Sequence, residues 1–493
     1  MTTPSNYQNL GTDLDYSYVE ANNPAYSSIV SAVSNRKTVM FGQQVLSQAN
    51  PYPIGNINDN LNYIPNLLTP FVDKDSTNII GVTPTSVFYN ARRTTTGTTI
   101  RGQFNLLENA GQTAQWQYNT NTQTSSPVQV TADTNRWTNI TTSFQSYSSL
   151  GIYNGTLWSW GLNSWGQLGT SNQINSSWPI QIGTLSYWSQ VACKNNFTLA
   201  IQSNGTLWSW GNNSYGQLGT NNQTNFFSPV LVGGALISAL RSWIRVDTGA
   251  FFMVAIQSPG TLWACGYNNS GQLGQGNLTN RSSPVQVGAL SSWAKISCGQ
   301  GYWLAIQSNG TLWSCGDNFY GQLGLSDTTG RSSPVQVGTL STWTQISCGA
   351  RESAAIQSDG TLWTWGSNSS GQLGLNTTTL SNVSSPVQVG ALSVWQQVSM
   401  GFNSAISIQS NGTMWGWGLN SSGQLGLNTQ QFVSVLSPIQ SGTSSNWSQI
   451  GASASYTMAI QNNGSLWSWG QNSYGQLGFA PSGISVNKVS YGL

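Results

Sequence analysis

LAIQSNGTLWSCGDNFYGQLG, residues 304–324, holds the decision about the fold. Two short apolar stretches, Leu304-Ala305-Ile306 and Thr311-Leu312-Trp313, flank Asn309-Gly310. Asn-Gly between apolar strands marks a hairpin, because both residues tolerate the positive φ of a type I′ turn. Gly321-Gln322-Leu323-Gly324 then turns the chain again. The same stretch recurs along the sequence. Gly-Thr-Leu-Trp, with small variations, places its Trp at 158, 208, 263, 313, 363, 415 and 467, at spacings of 50, 55, 50, 50, 52 and 52. Gly-Gln-Leu-Gly follows each time, ending at Gly169, Gly219, Gly274, Gly324, Gly374, Gly426 and Gly478.

Two further landmarks keep the same register. A Pro-centred stretch of the Ser283-Pro284-Val285-Gln286-Val287 type has prolines at 127, 179, 229, 284, 334, 386 and 438. A second Trp series stands at 137, 188, 243, 293, 343, 395 and 447. Each unit reads as four short strands. Pro-Val-Gln-Val alternates apolar and polar residues, with Pro expected at the strand start, where no ladder donor is needed. Trp293–Ile296 opens the second strand, and the quoted hairpin supplies the third and fourth. The turn dipeptide is Asn-Gly or Asp-Gly in six repeats; Pro259-Gly260 in the third suits a type II turn.

Seven units of about 50 residues with four strands each are propeller blades, not helical solenoid steps. The repeats begin on the Pro127 strand and end on Gly-Gln-Leu-Gly at Gly478. The first strand is therefore expected to complete the last blade and close the ring, removing exposed sheet edges. The expectation is an all-β chain: a seven-bladed β-propeller over 124–493 and a smaller, irregular, β-containing N-terminal region over 1–123. In that region Thr85–Leu107 reads as a hairpin around Thr96-Gly97, and Ile29–Gln48 as strand or short helix.

At this level the chain resembles the regulator-of-chromosome-condensation repeat propellers. The resemblance rests on Ile296-Ser297-Cys298-Gly299, Leu304-Ala305-Ile306, Asn309-Gly310-Thr311-Leu312-Trp313 and Gly321-Gln322-Leu323-Gly324, and covers about three quarters of the chain. It implies the seven-bladed fold. It implies little about activity, since that family spans exchange factors, chromatin binders, ligase modules and inhibitors. One departure stands out. Where the family usually has His, about four positions after Cys-Gly, this chain has Phe197, Phe252, Tyr302, Glu352, Ser404 and Tyr456.

Composition narrows the chemistry. The 493 residues include 15 Lys+Arg, 13 Asp+Glu, no His and 23 Trp; charged residues are 6%, where about 25% is usual. Without His there is no Ser-His-Asp or Cys-His pair, no His-ligated zinc and no imidazole switch. A net charge of +2 provides no footprint for nucleic acid or an anionic membrane. No apolar run is long enough to span a bilayer, and Met1–Asn22 has no signal-peptide pattern. Of the charges, 8 of 13 acids and 7 of 15 bases lie in residues 1–140.

Candidate chemistry is sparse. Cys193, Cys298 and Cys348 share one repeat position, and Cys265 and Cys315 replace a repeat Trp, so all five are expected as buried small hydrophobes. No C-x-x-C occurs, and no metal or cofactor is expected. Asp359 replaces a turn Asn. Asp317 and Asp327 flank one Gly-Gln-Leu-Gly loop and are expected as a solvated pair, not a glycosidase pair. Asp13-Leu14-Asp15 with Glu20 carries a weak calcium pattern. No nucleophile-base pair is visible, so a non-catalytic protein is expected.

The repeat Trp residues are expected as packing between blades; Trp116, Trp165, Trp178 and Trp303 lie off the pattern. The candidate surface contacts are the variable residues before Gly-Gln-Leu-Gly, namely Trp165, Tyr215, Tyr320 and Tyr474, where other blades have Ser. Arg241 and Arg245 join them, because the Pro229–Trp243 interval is 14 residues where other repeats have 9 or 10. The function expected from this composition is a virion structural protein present in many copies: a phage tail, fibre or capsid-decoration component. Residues 1–123 would dock on other particle proteins, and the propeller would meet a host-surface glycan or protein. The alternative is a partner-binding or lectin-like propeller at a cell surface or in the cytoplasm. Neither reading involves nucleic acid or membrane insertion.

Overall fold

The computed structural model describes residues 123–130, 136–143, 146–233, 242–377, 379–428 and 434–479, with the backbones of five further strands. The chain divides into two compact units: Met1–Asn121 with Ser482–Leu493, and Thr122–Pro481.

The second unit consists of seven four-stranded antiparallel sheets. Blade 4 is typical. Its strands are Trp293–Cys298, Tyr302–Gln307, Leu312–Gly316 and Arg331–Gln336, paired in that order. The second strand is buried throughout, as Tyr302–Gln307 is, because it lies inside the sheet with a blade on either side. The fourth strand is the outer edge, and its residues are partly exposed. The first strand of each blade neighbours the first strand of the next, all the way round, so these seven form the inner ring.

Closure occurs as the repeat order requires. Gln123–Gln129 pairs antiparallel with Leu466–Gln471 of the last blade, with Trp467 opposite Gln129 and Ser468 opposite Val128. A strand from the start of the repeats thus covers the edge that the last blade would otherwise expose.

Three local expectations change. Pro284 is the fourth residue of its strand, Arg281–Gln286, not the first. It sits at an outer edge where the ladder register shifts between Ala264 and Gly266, so its missing N–H costs no pairing. Among the Asn-Gly turns, Asn154 alone has positive φ, 51°, with Gly155 at 75°. In the others the Gly N–H returns to a Gln carbonyl three residues earlier, as Gly310 does to Gln307 at 2.9 Å, and Gly alone is left-handed, at 75–82°. These are three-residue type I loops with a glycine bulge. In blade 3 the Ser258–Pro259 peptide is cis and Gly260 N donates to Gln257 O, so proline occupies the third turn position and not the second position of a type II turn.

Among the described residues the first unit shows one sheet. The expected hairpin around Thr96-Gly97 is present: Val87–Arg93 and Thr99–Leu106 pair from Val87↔Leu106 to Arg93↔Ile100. Thr113–Asn119 continues the sheet. Ile484–Val486 pairs with Thr113–Asn119. The expected propeller span of 124–493 therefore needs correction at its end: residues 482–493 group with the N-terminal unit, because the strand after the last blade finds its backbone partners there. Ile29–Gln48 and Asp13-Leu14-Asp15 with Glu20 lie outside the described residues.

Candidate interaction face

Each repeat motif positions its loops through a fixed set of hydrogen bonds. In Gly-Thr-Leu-Trp the indole N–H donates to the Thr hydroxyl, or to Ser465 in the last blade, at 2.8–3.2 Å in all seven copies. In Asn-x-x-Gly-Gln-Leu-Gly the Asn oxygen accepts the Leu N–H at 2.8–3.2 Å. The Gln side-chain oxygen accepts the N–H two residues earlier at 2.8–2.9 Å. A tight loop is thus built from amides, without charge, and the residue before Gly-Gln-Leu-Gly is held by its backbone while its side chain is free to vary.

The same loop joins adjacent blades. The Gln carbonyl accepts the indole N–H of Trp160, Trp210, Trp365, Trp417 or Trp469 from the neighbouring blade at 2.8–2.9 Å. Trp303, off the repeat pattern, is fully buried and makes this bond to Gln272 O at 2.8 Å. It restores from the second strand the indole that blade 4 lost when Cys315 replaced the repeat Trp. Trp303 is therefore packing, as are all five cysteines, which are free and buried. Burial pushes the Cys348 thiol up to about 12.

A second set of bonds lines the inner ring. An inner strand has one edge with no neighbour of its own, and its backbone groups need partners. Thr141, Asp247, Ser297, Ser347 and Ser399 supply them. Each accepts the N–H of Cys193, Cys298, Cys348, Met400 or Ala452, respectively, in the next blade. Between blades 2 and 3 Gln190 does this by bonding both the N–H and the carbonyl of Val246. Asp247 is the one carboxylate in the series. Lys194, from the preceding blade, meets it at 2.7 Å and also donates to Cys298 O at 2.6 Å, so one ion pair ties three blades. The two side chains are 15% exposed. Burial lowers the affinity of the Lys194 amine for its proton, but the Asp247 carboxylate, together with Cys298 and Cys348 beside it, raises it on balance.

The positions where the resemblance implies His, Phe197, Phe252, Tyr302, Glu352, Ser404 and Tyr456, are buried. Tyr302 Oη donates to Glu352 O at 2.6 Å and Tyr456 Oη to Ser148 O at 2.7 Å, each reaching into the next blade. Burial pushes the Glu352 carboxyl well above the usual range, although its Oε2 accepts the Arg351 N–H at 3.0 Å.

The loops between strands one and two and between strands three and four emerge at the same end of every blade. This face carries the four aromatic candidates. Trp165 is 40% and Tyr474 38% exposed; Tyr215 and Tyr320 are half-buried. The three tyrosines are brought together with residues the sequence did not single out. Tyr474 packs on Tyr147 at 5.2 Å. Tyr215 packs on Phe251 and Tyr267 at 5.3 and 4.6 Å. Tyr320 lies under the Arg351 guanidinium, 4.9 Å from the ring centroid, with Arg351 Nη1 donating to its hydroxyl at 3.1 Å; the Phe402 ring centroid is 5.9 Å from the same guanidinium. Phe319, beside Tyr320, is 73% exposed. Variation between repeats at otherwise regular loop positions is the signal that would have found them.

Other candidates fall elsewhere. Arg245 is exposed on the inner strand Trp243–Thr248 and does not join the aromatic face. Arg241 lies outside the described residues. The carboxylates of Asp317 and Asp327 are held apart by separate partners, Gln322 at 2.9 Å and Arg331 at 2.6 Å. Asp359 accepts both the N–H and the hydroxyl of Thr361, the turn role expected for it. Among the described residues no group of three His, Cys, Asp or Glu could hold a metal ion.

Known proteins share the repeat and the fold. The pattern of the RCC1-like domain matches residues 94–407. That of the regulator of chromosome condensation (RCC1) repeat matches 411–460, and a second form of it matches 395–424 and 447–476. Human WBSCR16 is similar in structure, at TM-score 0.60 and 21% identity over 67% of this chain and 92% of that one. Prp20p of Saccharomyces cerevisiae, described for binding to Gsp1p and histones, gives 0.58 and 19% over 68% and 82%. Yeast RCC1 bound to Kap60 gives 0.60 and 19% over 70% and 85%. At these identities the likeness concerns the fold.

Proposed function

Because the chain belongs to the RCC1-like domain family, we propose that it is a non-catalytic propeller that binds a protein partner through the face bearing Trp165, Tyr215, Tyr320 and Tyr474. The observation that carries this reading is the aromatic arc on that face, with Phe319, Trp165 and Tyr474 left exposed on loops whose backbones are locked. Aromatic residues and Arg held on a rigid scaffold are what protein interfaces concentrate at their centres. Related propellers described for binding Gsp1p and histones, or bound to Kap60, support a partner-binding role over the virion role expected from composition. The particle reading, its host glycan and its docking through residues 1–123 gain nothing from the family.

The test is affinity purification from the native source with the full chain and with the triple variant Trp165→Ala, Phe319→Ala, Tyr474→Ala. A partner retained by the first and lost by the second is expected, with both proteins melting alike. An identical set of retained proteins overturns the assignment of this face. Recovery of capsid or tail proteins with the wild-type chain would return the particle reading to first place.

A further inference from the structure

A pair of cations on the inner ring is absorbed neither by the fold nor by the aromatic face. Arg245 and Lys295 occupy the same repeat position, two residues after the first-strand Trp, in blades 3 and 4. These two inner strands are neighbours. The equivalent residues in the other blades are Asn139, Gln190, Gln345, Gln397 and Gln449. At this position of the inner ring, charge is therefore confined to two neighbouring blades, and the other five carry neutral amides.

We propose that Arg245 and Lys295 form an anion-binding site on the wall of the central opening, which takes carboxylates of an acidic polypeptide segment. Both side chains are exposed. Arg245 Nη1 donates only to the carbonyl of its neighbour Ile244, at 3.1 Å. Lys295 Nζ donates to the carbonyl of Thr344 on the next inner strand, which holds the ammonium along the ring wall. Neither has a carboxylate partner among the described residues. Asp247, the acid on the same strand, is already neutralised by Lys194. Burial, with the Arg245 guanidinium added, holds the Lys295 ammonium below the usual lysine range. Two like charges held close in this way are relieved by an anion placed between them.

Two adjacent cations match one or two carboxylates. A nucleic acid backbone needs a longer basic track, since its affinity comes from neutralising many phosphates. Donation from charged groups to a carboxylate is the stronger class of hydrogen bond, so two such donors suffice for a recognisable contact.

The experiment uses the full chain and fluorescently labelled hexaglutamate, with hexaglutamine and a short single-stranded oligonucleotide as comparisons, read by anisotropy. Hexaglutamate is expected to bind, more weakly as salt is raised. Arg245→Gln with Lys295→Gln is expected to weaken it about tenfold or more, and Lys295→Arg to retain it. Thermal melts of all variants should coincide, as these side chains are exposed. Absence of hexaglutamate binding overturns the proposal, as does equal binding by the double variant or equal dependence of hexaglutamine or oligonucleotide binding on the two residues. This inference goes beyond the aromatic-face reading and uses none of its residues, so either can fail alone.

Discussion

The Tyr456 hydroxyl donates to the carbonyl oxygen of Ser148 at 2.7 Å, joining the last blade to the first across 308 residues of sequence. The same hydroxyl accepts from Ser149 Oγ at 3.1 Å. The bond is buried, so its loss strands groups that water cannot reach. Around it, Thr142 Oγ1 donates to Ala452 O and Trp160 Nε1 to Gln476 O. The seam between first and last blades is therefore held by side chains as well as by the shared sheet.

Tyr456→Phe should cost about 1–2 kcal/mol, as expected for a buried hydrogen bond whose partners lose their match. Tyr187→Phe, at a side chain 74% exposed, should be neutral. Urea unfolding of both variants compares them; equal effects would show that the seam does not depend on this bond.

Trp303 and Cys315 should behave as one unit. Trp303→Ser alone opens a cavity and should cost about 3–5 kcal/mol. Cys315→Trp alone overfills the site, at about 1–3 kcal/mol. The pair together rebuilds the arrangement of Ser353 and Trp365 in blade 5 and should cost well under the sum. A double-mutant cycle by chemical denaturation measures the coupling; additivity would refute the substitution of one indole for the other.

Lys194 and Asp247 should be far more sensitive singly than together. Lys194→Gly leaves an uncompensated, largely buried carboxylate and should cost about 3–5 kcal/mol. Asp247→Ser with Lys194→Gly installs the residues found at the same two positions across the following blade junctions, Gly249 with Ser297 and Gly299 with Ser347, and should recover most of the loss. Thermal denaturation of the three proteins is sufficient.

Glu352→Gln should stabilise the chain increasingly as pH rises. Burial raises the folded-state affinity of this carboxyl for its proton. Above the ordinary glutamate range, about 4.3, the unfolded chain has released a proton that the folded chain keeps. Stability therefore falls as pH rises, by about 1.4 kcal/mol per pH unit, until the folded protein also releases the proton. Gln carries no such cost and can still accept the Arg351 N–H. The gain from the variant should vanish below about pH 4 and grow above it. A gain independent of pH would assign the effect to packing.

Spacing alone determines the ring. Four landmarks repeated seven times fix strand number, turn position and the strand that closes the last blade, because each motif answers a local need: an acceptor for an indole N–H, an amide cap for a tight loop, a glycine where φ is positive. Repeat-invariant residues were legible for the same reason, and so were the cysteines and the turn Asp359.

Tertiary structure decided what no single repeat contains. Trp303 looked like an off-pattern side chain until blade 4 set it beside Gln272 in place of the indole missing at Cys315. Lys194 and Asp247 are 53 residues apart, and only the curvature of the inner ring brings them together. Tyr320, Arg351 and Phe402 come from three successive blades. Their stacking depends on the angle between sheets, a property of how buried side chains pack and not of any local pattern. The return of Ile484–Val486 to Thr113–Asn119 was equally hidden. Backbone pairing between distant segments follows from which edges remain unpaired after the ring has closed, and that is known only once the whole chain is folded.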